Sequence, residues 1–214
     1  MSKPRVRVPS RIASSSSRVS DERLRRWIDQ LVATPGLTAI KDPDEAWREH
    51  VERSLEAMEI VSRYEGSIVD VGSGGGSPGI PLASVFPERE VTLLEAQERK
   101  AEALARLAAE FPNVSVVRGR AEDQPTDHYE LAVARALAAP PVAAEWCLPL
   151  VACGGAVVLY VGPSADVEHV QRVADRVGGG PVSKEPGLLV IPKIRRTPEG
   201  FPRRPGVAKR RPLA

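Results

Sequence analysis

The sequence predicts an α/β fold, with a mostly parallel sheet covered by helices on both faces. Short apolar runs alternate with helical patterns from Gly66 onward, and a glycine-rich loop follows the first run and opens a helix. Such alternation is typical of β–α–β units, in which strands are buried on both faces. At 214 residues the chain is long enough for one domain of this kind with short extensions.

Six apolar runs are the candidate strands of this sheet. They lie at residues 67–71, 91–95, 114–117, 130–134, 155–161 and 188–191. Helical patterns lie between them at residues 80–86, 98–111, 141–151 and 165–177. The glycine triplet at 178–180 then precedes the last run, which we interpret as part of a terminal hairpin.

Two amphipathic helices are expected before the sheet. Residues 1–19 are basic and serine-rich, with too few large apolar residues to pack, so we expect them to be disordered. Ser20 is typical of a helix start and precedes apolar residues with helical spacing. Asp42 and Pro43 indicate the start of a second helix.

Basic residues are concentrated at the two ends of the chain. The net charge is +2, but residues 1–30 carry +5 and residues 193–214 carry +7, which leaves −10 on the middle of the chain. Basic ends favour a polyanion such as nucleic acid, although tails that only maintain solubility are the alternative. The candidate RNA-binding residues are Arg195, Arg196, Arg203, Arg204, Lys209, Arg210 and Arg211.

The sequence also argues against several classes of protein. No apolar run approaches the roughly 20 residues that span a bilayer, and the serine-rich start lacks the apolar core of a secretory signal. We therefore expect a cytoplasmic protein that needs no membrane. A monomer is a separate expectation, because these features do not determine oligomeric state. Cys147 and Cys153 have no histidine nearby to complete a metal-ligand set, so we expect two buried thiols and no metal site.

The glycine loop at residues 70–79 is the candidate cofactor site. It contains no Gly-Lys-Ser/Thr, which excludes a phosphate-cradling P-loop. Gly74, Gly76 and Gly79 satisfy the dinucleotide pattern G-x-G-x-x-G, and Glu95 follows at the end of the second predicted strand. A dinucleotide therefore remains one possible ligand.

Two features favour S-adenosylmethionine, which has a sulfonium cation and an amino group but no pyrophosphate. Asp70 ends the first predicted strand, and a carboxylate attracts a cation but repels a pyrophosphate. Gly72, Gly74 and Gly76 let the backbone approach the methionyl part of the ligand. The carboxylate of Glu95 would accept hydrogen bonds from the ribose hydroxyls.

Several motifs together resemble one enzyme family. They are the stretch DVGSGGGSPGIPLA at residues 70–83, Leu93-Leu94-Glu95, Arg120-Ala121-Glu122, Ala134-Arg135-Ala136 and the tail from Arg196 to Gly206. They resemble the bacterial small-subunit (16S) ribosomal RNA guanine-N7 methyltransferases, the RsmG or GidB family, over roughly residues 36–214. The specific part is the stretch Gly-x-Pro-Gly-Ile-Pro-Leu, because a bare G-x-G-x-G would indicate only the superfamily.

The resemblance implies a class I S-adenosylmethionine-dependent methyltransferase fold, which is Rossmann-like with a mostly parallel seven-stranded sheet and helices on both faces. The N-terminal helical extension would span residues 20–65, the methyltransferase domain residues 66–196 and the basic C-terminal tail residues 197–214. The chain departs from the residues usual in the family at Gly36, Glu49, Ser77 and Val161.

The resemblance also assigns site residues. Gly72 and Ser77 would contact the cofactor, Ala121 and Glu122 would frame its adenine, and Arg135 would lie beside the methionyl end or the incoming base. His50 and Arg135 are the candidate catalytic residues, which would hold the base or a flanking phosphate. The full set of candidate cofactor-binding residues is Asp70, Gly72, Gly74, Gly76, Ser77, Glu95, Ala121, Glu122 and Arg135.

The expected reaction is methyl transfer from S-adenosylmethionine to N7 of a guanine in small-subunit ribosomal RNA, free or within the 30S subunit. N7 has a free lone pair at neutral pH, so the reaction needs positioning in a water-poor cleft rather than a general base. The alternatives are a related methyltransferase with another RNA or a small-molecule substrate, and a non-catalytic relative that binds RNA.

Overall fold

The computed structural model describes residues 15–214, with side chains described from residue 21 onward. The seven strands of its sheet are β1 (Ile68–Val71), β2 (Val91–Glu95), β3 (Val114–Arg118), β4 (Tyr129–Arg135), β5 (Val151–Tyr160), β6 (Ser183–Glu185) and β7 (Leu188–Pro192). The helices are α1 (Ser15–Ala33), α2 (Pro43–Trp47), α3 (Arg53–Leu55), α4 (Met58–Val61), α5 (Gly79–Val85), α6 (Glu98–Ala108), α7 (Pro140–Cys147), α8 (Val167–Val177) and α9 (Val207–Arg210).

The strands form one sheet in the order β3-β2-β1-β4-β5-β7-β6. The first five strands are parallel, and β7 lies antiparallel between β5 and β6. The predicted mostly parallel sheet and the terminal hairpin are therefore confirmed. The strand order reverses between β1 and β4, and ligands of such sheets bind at the carboxyl ends of the strands beside this point.

Helices cover both faces of the sheet, as predicted. Along β1 the buried side chains alternate between two apolar clusters, so that Ile68 belongs to one cluster and Val69 to the other. The first cluster includes buried residues of α1, α4, α5 and α6, and the second includes those of α7 and α8. Burial on both faces explains why the strands read as continuous apolar runs.

The helical extension differs from its prediction in two ways. Helix α1 begins at Ser15, five residues before the predicted start at Ser20, because extending a helix costs little once a first turn exists. The remainder of the segment expected to be disordered, residues 1–14, lies outside the described residues. The second helix is capped by Asp42 as predicted, with its Oδ1 accepting from the Glu45 amide at 2.8 Å, but a π-helical turn at Arg48–Glu52 interrupts it.

The prediction of two buried thiols was wrong for Cys153, which is exposed, whereas Cys147 is buried. Pairing between β4 and β5 shifts register near Tyr129, and Gly154 has a φ of +93°. This irregularity turns Cys153 and Gly154 away from the core, while Val151 at the start of β5 stays buried. Among residues 15–214, no group of three or more His, Cys, Asp or Glu side chains could hold a metal ion. Within the same range, no helix is long and apolar enough to cross a membrane.

Helix α1 packs directly on the glycine loop. The indole Nε1 of Trp27 donates a hydrogen bond to the carbonyl oxygen of Gly75 at 3.1 Å, and a side chain at Gly75 would collide with Leu31. The Trp27 ring also lies edge-on to the ring of His50, with centroids 6.5 Å apart. The extension therefore supports the loop at Gly75 through Trp27 and Leu31.

We expect Trp27→Phe to lower the free energy of unfolding by about 1–3 kcal/mol, because it leaves the Gly75 carbonyl without its donor. Chemical denaturation followed by circular dichroism would measure the loss. The matched control is Trp47→Phe, since Trp47 lies on the same extension but stacks under Arg25 at 3.9 Å instead of contacting the loop. Equal losses in the two variants would contradict a specific contribution from the loop contact.

Candidate functional site

The candidate site lies where β1, β2 and β4 end. The chain leaves β1 into the glycine loop, leaves β2 just after Glu95, and leaves β4 just after Arg135. Because these strands are parallel neighbours, their carboxyl ends meet at one edge of the sheet. The topology thus brings together three segments that the sequence analysis selected separately.

The glycine loop is shaped by positive φ angles and tied to β2. Gly72, Gly74 and Gly76 have φ values of +75°, +55° and +105°, a region that side chains disfavour. The amide of Gly72 donates to the carbonyl oxygen of Leu94 at 2.8 Å. A side chain at Gly72 would collide with Leu137, whereas a Cβ on Gly74 would find its nearest neighbour at 3.9 Å. The space beside Gly74 is therefore open to a ligand.

Glu95 holds the loop in place through its carboxylate. Its Oε2 accepts from the Gly74 amide at 3.0 Å, and its Oε1 accepts from the Gln97 amide at 2.8 Å. Each oxygen keeps further acceptor capacity, since a carboxylate oxygen can accept two hydrogen bonds. Glu95 can therefore position the loop and accept hydroxyl groups of a ligand at the same time.

Asp70 lies beneath the loop with one oxygen unpaired. Its Oδ2 accepts from the Gly79 amide at 2.9 Å, while its buried Oδ1 has no hydrogen-bond partner among the described residues. Burial raises the pKa of Asp70 to about 7, against the lowering effects of the Gly79 amide and Arg135. A buried, incompletely satisfied acidic group suits a cationic ligand better than a pyrophosphate, so the site fits S-adenosylmethionine.

Arg135, His50 and Ser77 form a polar cluster beside the loop. The Nη2 of Arg135 donates to Nδ1 of His50 at 2.9 Å and to Oγ of Ser77 at 2.5 Å, and its Nη1 donates to the carbonyl oxygen of Glu49 at 2.6 Å. The structure therefore joins the two candidate catalytic residues to each other and to the loop. A π-helical turn places His50 here, and such turns often occur at functional sites.

The contacts of His50 define its protonation state. Nδ1 of His50 lies 2.9 Å from Nη2 of Arg135 and 3.0 Å from Oγ of Ser77. Because an arginine cannot accept a hydrogen bond, we assign Nδ1 as the unprotonated nitrogen and Nε2 as the donor to Oγ1 of Thr38 at 3.1 Å. Burial, and then the charge of Arg135, lower the pKa of His50 to about 4. His50 is therefore a neutral imidazole at pH 7, and its lone pair is occupied by Arg135.

Two residues that follow β4 received no site role from the sequence, although Ala136 belongs to one of the motifs. Ala136 has a φ of +52°, which a residue with a Cβ adopts at a cost of about 1–2 kcal/mol. Leu137 packs over Gly72. Strain next to Arg135 is typical of a functional site, but no local signal in the sequence predicts a positive φ at an alanine.

Ala121 and Glu122 lie in a short 3₁₀ turn, Ala121–Asp123, after β3. The Gly119 amide just before the turn donates to the carbonyl oxygen of Glu95 at 3.0 Å, so the turn adjoins the end of β2. Oε1 of Glu122 accepts from the Gly206 amide at 3.2 Å. The turn is thus next to the carboxyl end of β2, and the C-terminal tail contacts it through Gly206.

The seven basic tail residues do not form one surface. Arg195 and Arg196 follow β7 at the amino-terminal edge of the parallel strands, opposite the glycine loop. Arg203 instead forms a bidentate ion pair with Glu145, with distances of 2.5 and 2.6 Å. Arg203 is therefore engaged by a buried carboxylate and is not free to bind RNA as the sequence predicted. The exposed basic residues that follow Arg203 are Arg204, Lys209, Arg210 and Arg211.

This sheet order, with a glycine loop after β1 and a carboxylate ending β2, defines the class I methyltransferase fold. The structure is similar to the methyltransferase SibL in its apo form, with a TM-score of 0.56 and 15% identity over 86% of this chain and 71% of that chain. It is also similar to a methyltransferase of Methanococcus maripaludis, with a TM-score of 0.51 and 16% identity over 67% and 86%. The predicted fold class is confirmed.

The family is identified by sequence. Residues 22–177 match the GidB family, described as rRNA small subunit methyltransferase G. Relatives with that name include those of Pelotomaculum thermopropionicum, 39% identical over 83% of this chain and 82% of the relative, and Thermotoga neapolitana, 34% identical over 90% and 91%. The chain belongs to the rRNA small subunit methyltransferase G family, which confirms the resemblance seen in its motifs.

We expect His50 to titrate with a pKa near 4, as measured by NMR of its imidazole C2 proton, with His50→Gln used to assign the signal. Arg135→Gln should raise this pKa but leave it below 6.5, because burial is the larger cause. The folded pKa lies below the unfolded value of 6.5. The contribution of His50 to stability should therefore be complete above pH 6.5 and lost as the pH falls towards 4. Titration near 6.5 would contradict the desolvated cluster.

Proposed function

We propose that this chain transfers a methyl group from S-adenosylmethionine to N7 of a guanine in small-subunit ribosomal RNA, free or within the 30S subunit. The names of its relatives specify methylation of this RNA. The observation that supports N7 is the bond from Arg135 to the His50 lone pair. This bond leaves the histidine unable to take a proton from the substrate while it persists.

The residues that would hold the cofactor come from four segments. Glu95 would accept the ribose hydroxyls, the glycine loop would pass beneath the methionyl part, and Asp70 would lie close to its positive charge. Ala121 and Glu122 would line the adenine. When bound, S-adenosylmethionine supplies an electrophilic methyl group on its sulfonium sulfur. A nucleophile with a free lone pair can accept that group without prior deprotonation.

Arg135 is the residue best suited to hold the substrate. Of its five N–H groups, those on Nη2 contact His50 and Ser77, and one on Nη1 contacts Glu49, which leaves two donors. Arginine commonly pairs with O6 and N7 of guanine, but a hydrogen bond at N7 would occupy the attacking lone pair. We therefore assign the remaining donors of Arg135 to O6 or to a flanking phosphate.

Exposed basic residues would hold the RNA backbone. Four of them follow Arg203 in the C-terminal tail, namely Arg204, Lys209, Arg210 and Arg211. Two more, Arg195 and Arg196, lie at the amino-terminal edge of the parallel strands. This distribution favours an extended RNA surface over a small metabolite. The proposal assigns this activity to a monomer. It places the protein in the cytoplasm, with ribosomal RNA as its partner.

We expect Gly74→Val to abolish binding of S-adenosylmethionine in isothermal titration calorimetry, because its side chain would enter the open space beside the loop. The matched control is Gly154→Val. Gly154 also has a positive φ and open surroundings, but it lies in β5 near the amino-terminal edge of the sheet. The control should bind the cofactor like the wild type. Normal binding by a folded Gly74→Val protein would place the cofactor elsewhere.

The reaction itself is tested with labelled S-adenosylmethionine and small ribosomal subunits that lack the modification. Nucleoside digestion and mass spectrometry should locate the label in N7-methylguanosine. Arg135→Gln should lower kcat by about 100-fold or more while cofactor affinity changes little, if the arginine positions the base. The control Arg53→Gln removes an exposed arginine that pairs with Glu49 at 3.0 Å, and it should retain activity. Label on an exocyclic amine, a pyrimidine or a metabolite would contradict the proposal.

A further inference from the structure

The C-terminal strap, defined as residues 197–214, is docked along its length. It begins at Thr197, whose amide and Oγ1 donate to Oδ1 of Asp127 at 3.1 and 2.9 Å. The same Oγ1 accepts from Nζ of the buried Lys193 at 2.8 Å. The first residue of the strap is therefore held at the amino-terminal edge of the sheet, just before β4 begins.

The strongest attachment of the strap is the ion pair between Arg203 and Glu145 of α7. Nε and Nη2 of Arg203 donate to the two carboxylate oxygens at 2.5 and 2.6 Å. The Glu145 side chain is only 3% exposed, so it depends on Arg203 to compensate its buried charge. Removing one partner of a buried pair is far more disruptive than removing an exposed charge.

Beyond Arg203 the strap reaches the 3₁₀ turn at Ala121–Asp123, which we propose lines the adenine. Ala208 is buried in the apolar cluster of α7 and α8, and Nζ of Lys209 lies 5.4 Å from the ring centroid of Trp146. These contacts place the Gly206 amide 3.2 Å from Oε1 of Glu122. The ion pair therefore lies three residues before the point where the strap contacts the turn.

The turn continues this chain of contacts to the glycine loop. Gly119, just before the turn, donates to the carbonyl oxygen of Glu95, and the Glu95 carboxylate accepts from Gly74. The contacts between segments are an ion pair and hydrogen bonds, and the remaining steps run along the backbone from Arg203 to Gly206 and from Glu122 to Gly119. Exposed basic residues, including Arg204 and Arg211, lie on the same strap.

We infer that Arg203 and Glu145 are positioning residues for the cofactor, and that RNA held by the strap and cofactor held by the glycine loop strengthen each other's binding. Their ion pair docks the strap, and the docked Gly206 amide then orders the turn around Ala121 and Glu122. This inference rests on the proposed function for the identity of both ligands. Such coupling is reciprocal, since each ligand changes the affinity for the other by the same factor. Both ligands must therefore bind more tightly when the strap is docked.

The test compares Arg203→Ala with Arg204→Ala, two adjacent substitutions that remove the same charge. Calorimetry with S-adenosylmethionine, without RNA, should show a Kd about 10-fold higher for Arg203→Ala, and a Kd within about twofold of the wild type for Arg204→Ala. Hydrogen exchange should be faster at residues 121–124 and 205–211 only in Arg203→Ala, with β1 and β4 unchanged. Protected strands would distinguish loss of positioning from general unfolding.

Two results would overturn the inference. The first is that Arg203→Ala binds S-adenosylmethionine with the wild-type Kd although hydrogen exchange at its residues 205–211 is fast. The second is that hydrogen exchange at residues 205–211 is the same in Arg203→Ala as in the wild type. If Arg203→Ala does not fold, the inference is tested by the cofactor Kd of Glu145→Gln and by hydrogen exchange of the wild type. Glu145→Gln should raise the Kd in the same way, and cofactor should slow exchange at residues 205–211 of the wild type. Absence of both effects would also overturn the inference.

These measurements need no methyl transfer. A wild-type protein that binds cofactor and shows the coupling but methylates another atom would refute the proposed N7 reaction and leave the inference standing. Conversely, correct methylation without coupling between strap and cofactor would refute the inference alone.

Discussion

The hydrogen bonds between the end of β2 and the glycine loop are the constraint on which the rest of the site depends. The Leu94 carbonyl accepts from Gly72, and the Glu95 carboxylate accepts from Gly74. These bonds hold a loop in which positive φ angles favour glycine at positions 72, 74 and 76, so that the backbone there carries no side chains. Trp27 then supports the loop from α1. The Glu95 carboxylate, which we propose accepts the ribose hydroxyls of the cofactor, is therefore also part of the scaffold that shapes the loop.

The polar cluster around Arg135 supports the proposal that the enzyme acts by positioning the base. A histidine beside a substrate is often considered as a general base, but here desolvation and a neighbouring guanidinium keep His50 neutral, with its lone pair engaged. Its observed contacts instead orient Arg135 relative to Ser77. This arrangement is consistent with an acceptor atom that needs no deprotonation, since the chemical requirement is then alignment within a water-poor cleft.

The basic residues near the C-terminus have different structural roles despite their shared charge. Arg203 compensates a buried carboxylate, whereas Arg204 beside it is exposed. Charge counting treats these two residues alike because composition contains no information about burial. The energetic difference is large, since a paired buried charge contributes to packing and an exposed charge is mostly screened.

The sequence by itself determined what depends on local pattern. Apolar runs bounded by glycine and proline indicated β1, β2, β4 and β5, and the motif after β1 indicated the cofactor loop, because periodicity and turn chemistry act over a few residues.

Only the tertiary structure decided the contacts between distant residues. Ser77 and Arg135 meet although they are 58 positions apart, and the Gly206 amide meets Glu122 across 84. The π-helical turn at His50 and the exposure of Cys153 also follow from packing. Such features depend on which surfaces meet when the chain folds, and a local pattern does not encode that information.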